Sequence, residues 1–185
     1  MFDGIFNDLS MSTFLISAAI ILLSWSYIAK TIKKTLTLGV ISVSIYTFVI
    51  YIHGVDQASL AIGILGILSM LIGLLSSNRV KDILFKIIPF LSIAIVFILD
   101  YSVLTILPAL ALFFSSLGSL STNLFTLKIF SFLSNSVWLA FGFMIMSPHA
   151  IIFDTIGNLA LIYFFISQRK GFIIYLKSYA NLNKK

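Results

Sequence analysis

The chain has 185 residues, 60% of them apolar and 10% charged, and its mean hydropathy of +1.13 lies far outside the range of a soluble domain. A net charge of +6 would suggest nucleic acid in a soluble protein, but here the bases are spread over separate short segments, which points to membrane topology and anionic lipid rather than a nucleic-acid partner. The absence of cysteine excludes disulfides, thiolate metal sites and cysteine nucleophiles, and two His with no Glu leave almost nothing to hold a catalytic metal.

A helix needs about 20 mostly apolar residues to cross the hydrocarbon. Seven stretches qualify: 12–29, 35–52, 58–77, 83–99, 101–121, 127–146 and 148–167. The fourth reaches a spanning length only if Lys86 is included, its ammonium snorkelling to the surface. All seven are expected to be helices, because lipid satisfies no exposed backbone group. The chain therefore reads as an all-α integral membrane protein, a single membrane domain with no room for a soluble one.

The charges orient it. Lys30, Lys33 and Lys34 follow the first span; Arg79, Lys81 and Lys86 follow the third; Lys128 follows the fifth; Arg169, Lys170, Lys177, Lys184 and Lys185 follow the seventh. The alternate gaps hold His53 with Asp56, then Asp100, then His149, and no base. Because cytoplasmic loops collect Lys and Arg, this alternation predicts seven crossings of a bacterial inner membrane, with the acidic N-terminus (Asp3, Asp8) outside and the tail inside. The N-terminus lacks the basic region of a cleaved signal peptide, so the first span is expected to be retained.

Prolines and the tail refine the picture. Pro89 lies near the start of the fourth span, and Pro108 falls inside the fifth, where its missing N–H and ring favour a kink. Pro148 opens the seventh as a first-turn proline would. Residues 171–185 mix Phe172, Ile173, Tyr175 and Leu176 with lysines, the pattern of a helix lying in the cytoplasmic interface.

Sliding the chain by 92 residues lays the first three spans over the last three without gaps. Identities at that shift include Ala19/Ala111, Ser42/Ser134 and Ser44/Ser136, and one local match aligns Ser42 to Tyr46 with Ser134 to Trp138. A three-span unit has an odd number of crossings, so a second copy in the same orientation needs one linker helix. The fourth span would fill that role, giving a 3+1+3 parallel repeat: 12–77, a linker at 83–99, and 101–167. Such units place a solute site between them.

Residues 134–171 resemble the YgjV-like family of bacterial inner membrane proteins, in which a Ser four residues before a Trp is followed by a loop Ser, an acidic residue and a basic run ending in Gly. Ser134, Trp138, Ser147, Asp154, Arg169, Lys170 and Gly171 fit those positions. The first half is similar more loosely, through Lys33-Lys34, Gly54 and Ala58-Ser59. More distantly, the 3+1+3 plan is similar to the SWEET and PQ-loop transporters. That resemblance implies a central pocket with Tyr46 and Trp138 as its aromatic walls and Asn158 or Asp154 as its polar groups. The chain departs from those transporters in having no first-span proline to pair with Pro108, and Gly63 and Gly66 where a pocket Asn is expected.

Asp154 is the only acid inside a predicted span, and a charged carboxylate there costs at least about 2.5 kcal/mol, which makes it a functional candidate and a candidate proton carrier. Asn158, one turn on, is expected to share its face and cavity. Trp138 and Ser134 would supply an aromatic and a hydroxyl to the same cavity, with Tyr46 and Ser42 as their counterparts in the first unit. Bland readings stand beside these: a protonated Asp bonded to a neighbouring helix, an aromatic packed between helices, and serines that let backbones approach. Gly63, Gly66 and Gly73 read as a close-packing groove.

No phosphate loop, metal-binding helix motif or Ser/His/Asp arrangement is present, so no enzyme, metal or cofactor is expected. The expected function is movement of a small neutral or weakly polar solute, with homodimerisation through a helix face compatible with it. The alternative is a non-transporting membrane protein, an immunity or assembly factor, that docks a protein partner.

Overall fold

The computed structural model describes residues 9–52, 57–85, 87–99 and 106–182, and every regular element among them is helical. Asp3, Asp8, His53, Gly54, Asp56, Lys86, Asp100, Lys184 and Lys185 lie outside the described residues. The helices are α1 (Leu9–Ile28), α2 (Ile32–Ile52), α3 (Gln57–Leu75), α4 (Asn78–Leu84), α5 (Ile88–Leu99), α6 (Ile106–Leu120), α7 (Leu124–Met144), α8 (Pro148–Ser167) and α9 (Arg169–Leu182). Four are long and apolar enough to cross a membrane, over Met11–Ile28, Ile32–Val49, Leu124–Met144 and Pro148–Ser167, and two shorter apolar helices run over Leu60–Leu75 and Ile106–Leu120. Large apolar side chains such as Phe14, Tyr163 and Ile166 face outward, the arrangement of a membrane-embedded protein.

Packing closes a ring. α1 lies on α2, α2 on α3, α3 on α6, α6 on α7, α7 on α8, and α8 returns to α1. α5 stays outside, against α6 and more lightly α3. Two apolar junctions seal the ring where elements distant in sequence meet. Ala19, Leu23 and Tyr27 of α1 pack on Phe153 and Leu161 of α8, while Ile62 of α3 packs on Ala109 and Leu112 of α6.

Equivalent hydrogen bonds brace α1 to α2 and α6 to α7. The Ser42 hydroxyl donates to the Ala19 carbonyl at 2.7 Å, and 92 residues on the Ser134 hydroxyl donates to the Ala111 carbonyl at 2.9 Å. Tyr46 packs on the α1–α8 junction as Trp138 packs on the α3–α6 junction, and these too are 92 residues apart.

Local chemistry explains the helix ends that differ from the sequence-based bounds. The fourth span breaks into α4 and α5 because Pro89 offers no N–H and its ring collides with the carbonyl four residues back, that of Phe85, where α4 has just ended. The described part of α5 is about 18 Å long. Pro108 lies in α6, and the residue four back from it, whose carbonyl decides a proline kink, falls outside the described residues. α7 starts at Leu124 because Asn123 Oδ1 accepts from the Phe125 and Thr126 amides. It ends with Ser147 N–H on the Gly142 carbonyl and Met146 N–H on the Phe143 carbonyl, with Met146 in the left-handed region (φ 51°) that glycine more often occupies. Pro148 opens α8 behind a Ser147 cap, as expected.

The tail is helical as expected, but α9 also folds back onto the bundle. Tyr175 Oη and Thr126 Oγ1 are 2.9 Å apart, and Phe172 and Tyr175 pack on Phe125. Its Ile173, Ile174, Leu176 and Lys177 remain exposed.

The α3 glycines divide into two roles. A Cβ on Gly73 would run into the Ser119 carbonyl of α6, and one on Gly63 would meet Thr47 of α2, so these positions do permit close packing. Gly66 departs from the groove reading, since a Cβ there would meet nothing within 4 Å. Gly73→Ala is therefore expected to lower the melting temperature in detergent by several degrees, because backbone must move, while Gly66→Ala leaves it unchanged or raises it slightly through better helix propensity.

Candidate functional site

The ring encloses a cavity of about 370 Å³, within the range of small-ligand sites. Its lining reaches from Ser26 and Thr35 at the α1–α2 end to Ser147 and Ala150 at the α7–α8 turn. Along α7 alone it runs from Leu127 to Phe141, about 21 Å at 1.5 Å per residue.

Four of the six expected residues line this cavity: Asp154, Trp138, Ser134 and Tyr46. Asp154 is 5% exposed, and no hydrogen bond or ion pair ties its carboxyl to another described residue. Beside it the Phe153 and Tyr46 rings stack at 4.8 Å and 24°. Trp138 stands edge-on to Phe141 at 5.8 Å. Ser134 faces the cavity with its proton already given to the Ala111 carbonyl, which leaves it as an acceptor there.

Ser42 and Asn158 do not line it. Ser42 is fully buried in the bond to α1. Asn158 was expected beside Asp154, but the next turn of α8 is filled from inside the ring. Tyr27 Oη donates to Asn135 Oδ1 at 2.9 Å, and this pair packs on Gly157, where a Cβ would sit 2.6 Å from Asn135 Nδ2. The cavity face of α8 therefore stops near Asp154, and Asn158 Oδ1 is left buried without a partner.

Sequence reasoning missed Tyr27, Asn135 and Thr47, all of which line the cavity. Thr47 Oγ1 and Asn135 Nδ2 are buried with no hydrogen-bond partner. Asn135 had a visible signal, being an amide inside a predicted span where the 92-residue shift puts Val43. Tyr27 sits in the last turns of an apolar span, where an interfacial aromatic is the usual reading.

Lys128 is the largest departure. The charge pattern places it in a loop, yet the early start of α7 carries it into the helix, where it is 0% exposed. Its Nζ donates to the Ser26 carbonyl at 2.7 Å and to Thr35 Oγ1 at 2.8 Å, and lies 5.1 Å from the centre of the Phe164 ring. A cation at the C-terminal carbonyls of α1 is favourably placed, and here it also fastens the α1–α2 turn to α7. Ser26 Oγ, donating to the Thr35 carbonyl at 2.8 Å, completes that fastening. Lys30, Lys33, Lys34, Arg79, Arg169 and Lys170 are exposed, as loop and interfacial bases should be, whereas Lys81 is buried in α4.

Fold and site together define a membrane-embedded helical protein with an internal cavity that carries, among the described residues, the buried carboxyl of Asp154. The chain matches no protein-family model, no curated protein and no solved structure.

Tyr27→Phe removes the donor to Asn135 and leaves Oδ1 buried and unpaired, an expected loss of about 1–3 kcal/mol. Thermal unfolding in detergent should show that loss. Tyr163→Phe, on the exposed face of α8, should leave the transition where it is.

Proposed function

We propose that this chain is a multi-pass protein of a bacterial inner membrane that moves a small solute through the cavity between α1–α3 and α6–α8. In this reading the two groups are copies of one three-helix unit, the span at 83–99 supplies the linking crossing, and the seven crossings put the N-terminus outside and the tail in the cytoplasm. The resemblance to YgjV-like proteins, and the more distant one to SWEET and PQ-loop transporters, belong to the same proposal.

The observation that carries it is the cavity itself, lined by six helices and holding a buried carboxyl with no hydrogen-bond or ion-pair partner among the described residues. A purely structural bundle gains nothing from an unpaired acid in its interior, which is costly in hydrocarbon. The equivalent Ser42 and Ser134 bonds support a duplicated unit, because each fixes the second helix of a group to the first at the same place. The groups meet through apolar junctions at α1–α8 and α3–α6 and through three buried hydrogen bonds, Tyr27 to Asn135 and Lys128 to Ser26 and Thr35, so rocking of one group against the other has to exchange those polar contacts.

Because the chain lacks native cysteine, accessibility can be read from single introduced thiols. Ser131→Cys and Thr47→Cys should each react with membrane-impermeant reagents from both faces of the membrane. Gly66→Phe, which fills the cavity from α3, should cut labelling at position 131 from at least one face by tenfold or more. If neither thiol reacts from either face, the interior is packed and the reading as a protein that docks a partner takes its place.

A further inference from the structure

We propose that the cavity binds a small organic ammonium ion, with Asp154 as its counter-charge and the rings of Tyr46, Phe153 and Trp138 as its contact surface. The proposal deepens the transport reading by naming the solute class, and it rests on that reading only for the steps after binding.

Three observations carry it. First, the acid is unpaired. Asp154 is 5% exposed, lines the cavity and has no hydrogen-bond or ion-pair partner among the described residues. A buried carboxylate is costly until a cation or several donors meet it, so an occupant bearing positive charge gains most from this position. No Lys, Arg or His among the described residues lines the cavity to compete for it. Lys128, buried outside the lining, is engaged with Ser26 and Thr35 beneath Phe164, ten residues from Asp154 along α8, or about 15 Å.

Second, four hydroxyls of the lining are turned into acceptors. Ser26 donates to the Thr35 carbonyl, Ser119 to the Ser115 carbonyl, Ser134 to the Ala111 carbonyl, and Tyr27 to Asn135. With those protons committed to the scaffold, their oxygens offer lone pairs to whatever enters. A polyol or an anion needs donors from its site; an ammonium or alkylammonium needs acceptors. These four oxygens suit the cationic end of a solute, while Asn135 Nδ2 and Thr47 Oγ1, without hydrogen-bond partners among the described residues, offer donors to the rest of it.

Third, the walls near the acid are aromatic. Tyr46 and Phe153 stack beside Asp154, and Trp138 stands on the facing helix α7. Ring faces attract organic cations, most strongly where water is excluded. A cavity of about 370 Å³ suits an amine of modest size and is far larger than a bare metal cation requires.

The test is equilibrium binding to the full chain in lipid nanodiscs, by calorimetry, with two pairs of probes. Choline is compared with its uncharged carbon analogue dimethylbutanol, and phenethylamine with phenethyl alcohol. At least one ammonium is expected to bind tenfold or more tightly than its neutral partner, and Asp154→Asn should remove that preference while leaving the alcohol's affinity unchanged. Equal binding of charged and uncharged partners, a preference that survives in Asp154→Asn, or no binding of either ammonium overturns the proposal. The wild-type comparison decides the matter alone if Asp154→Asn does not fold. Failure here is separable from failure of the transport reading: thiols at positions 47 and 131 that react from both faces, with no ammonium bound, would leave a transporter of another solute class. Ammonium binding without two-sided labelling would leave a binding protein that does not transport.

Discussion

A serine hydroxyl bonded to the carbonyl of a neighbouring helix, made twice at positions 92 residues apart, is the constraint on which this architecture turns. In hydrocarbon, apolar side chains gain little by leaving lipid for one another, so helices are held by close packing and by polar groups that have no water to fall back on. Ser42 on Ala19 and Ser134 on Ala111 fix the spacing and rotation of α2 on α1 and of α7 on α6. Once those pairs are set, Tyr46 and Trp138 are delivered to equivalent places beside the two junctions, and the space between the groups is what remains. Each such bond contributes only about 1 kcal/mol, so they act by specifying geometry more than by adding stability.

Within these similar walls, the polar groups are unequal. The 92-residue shift pairs Asp154 with Ile62 and Asn135 with Val43, which leaves the buried carboxyl and the buried amide both in the second half of the chain. Lys128, likewise without a counterpart, holds the α1–α2 turn at one end. The cavity lining is thus uneven in polarity, with its carboxyl toward the α7–α8 turn and Lys128 outside the lining beside the α1–α2 turn.

Much of this was legible in the sequence, and the reasons for the remainder are physical. Apolar runs and the spacing of bases expose the long helices, because lipid admits nothing else. The serine pair and the two aromatics emerge from the shift, because residues at matched depth in similar helices meet similar surroundings. Asp154 stands out simply because an acid in an apolar run is costly. Asn158 misled, since sharing a helix face with Asp154 does not reveal that Tyr27 and Asn135 fill the next turn from other helices. Lys128 misled in the opposite way: charge patterning treats every lysine as seeking water, and nothing local shows that the carbonyl end of α1 and Thr35 will receive its ammonium. The break at Pro89 depended on where the helix starts, which periodicity fixes least well.

The measurement that bears most directly on the enclosing ring is disulfide trapping in native membranes between α1 and α8, the contact that closes it. Leu23 and Leu161 belong to one buried cluster, and in a chain with no native cysteine any intramolecular bridge must come from the introduced pair. Leu23→Cys with Leu161→Cys should cross-link rapidly on mild oxidation, within a single chain, while Leu23→Cys paired with Leu112→Cys, on the α3–α6 junction, should not. Efficient bridging of the second pair, or none in the first, would mean that α1 does not return to α8 and that no closed cavity exists.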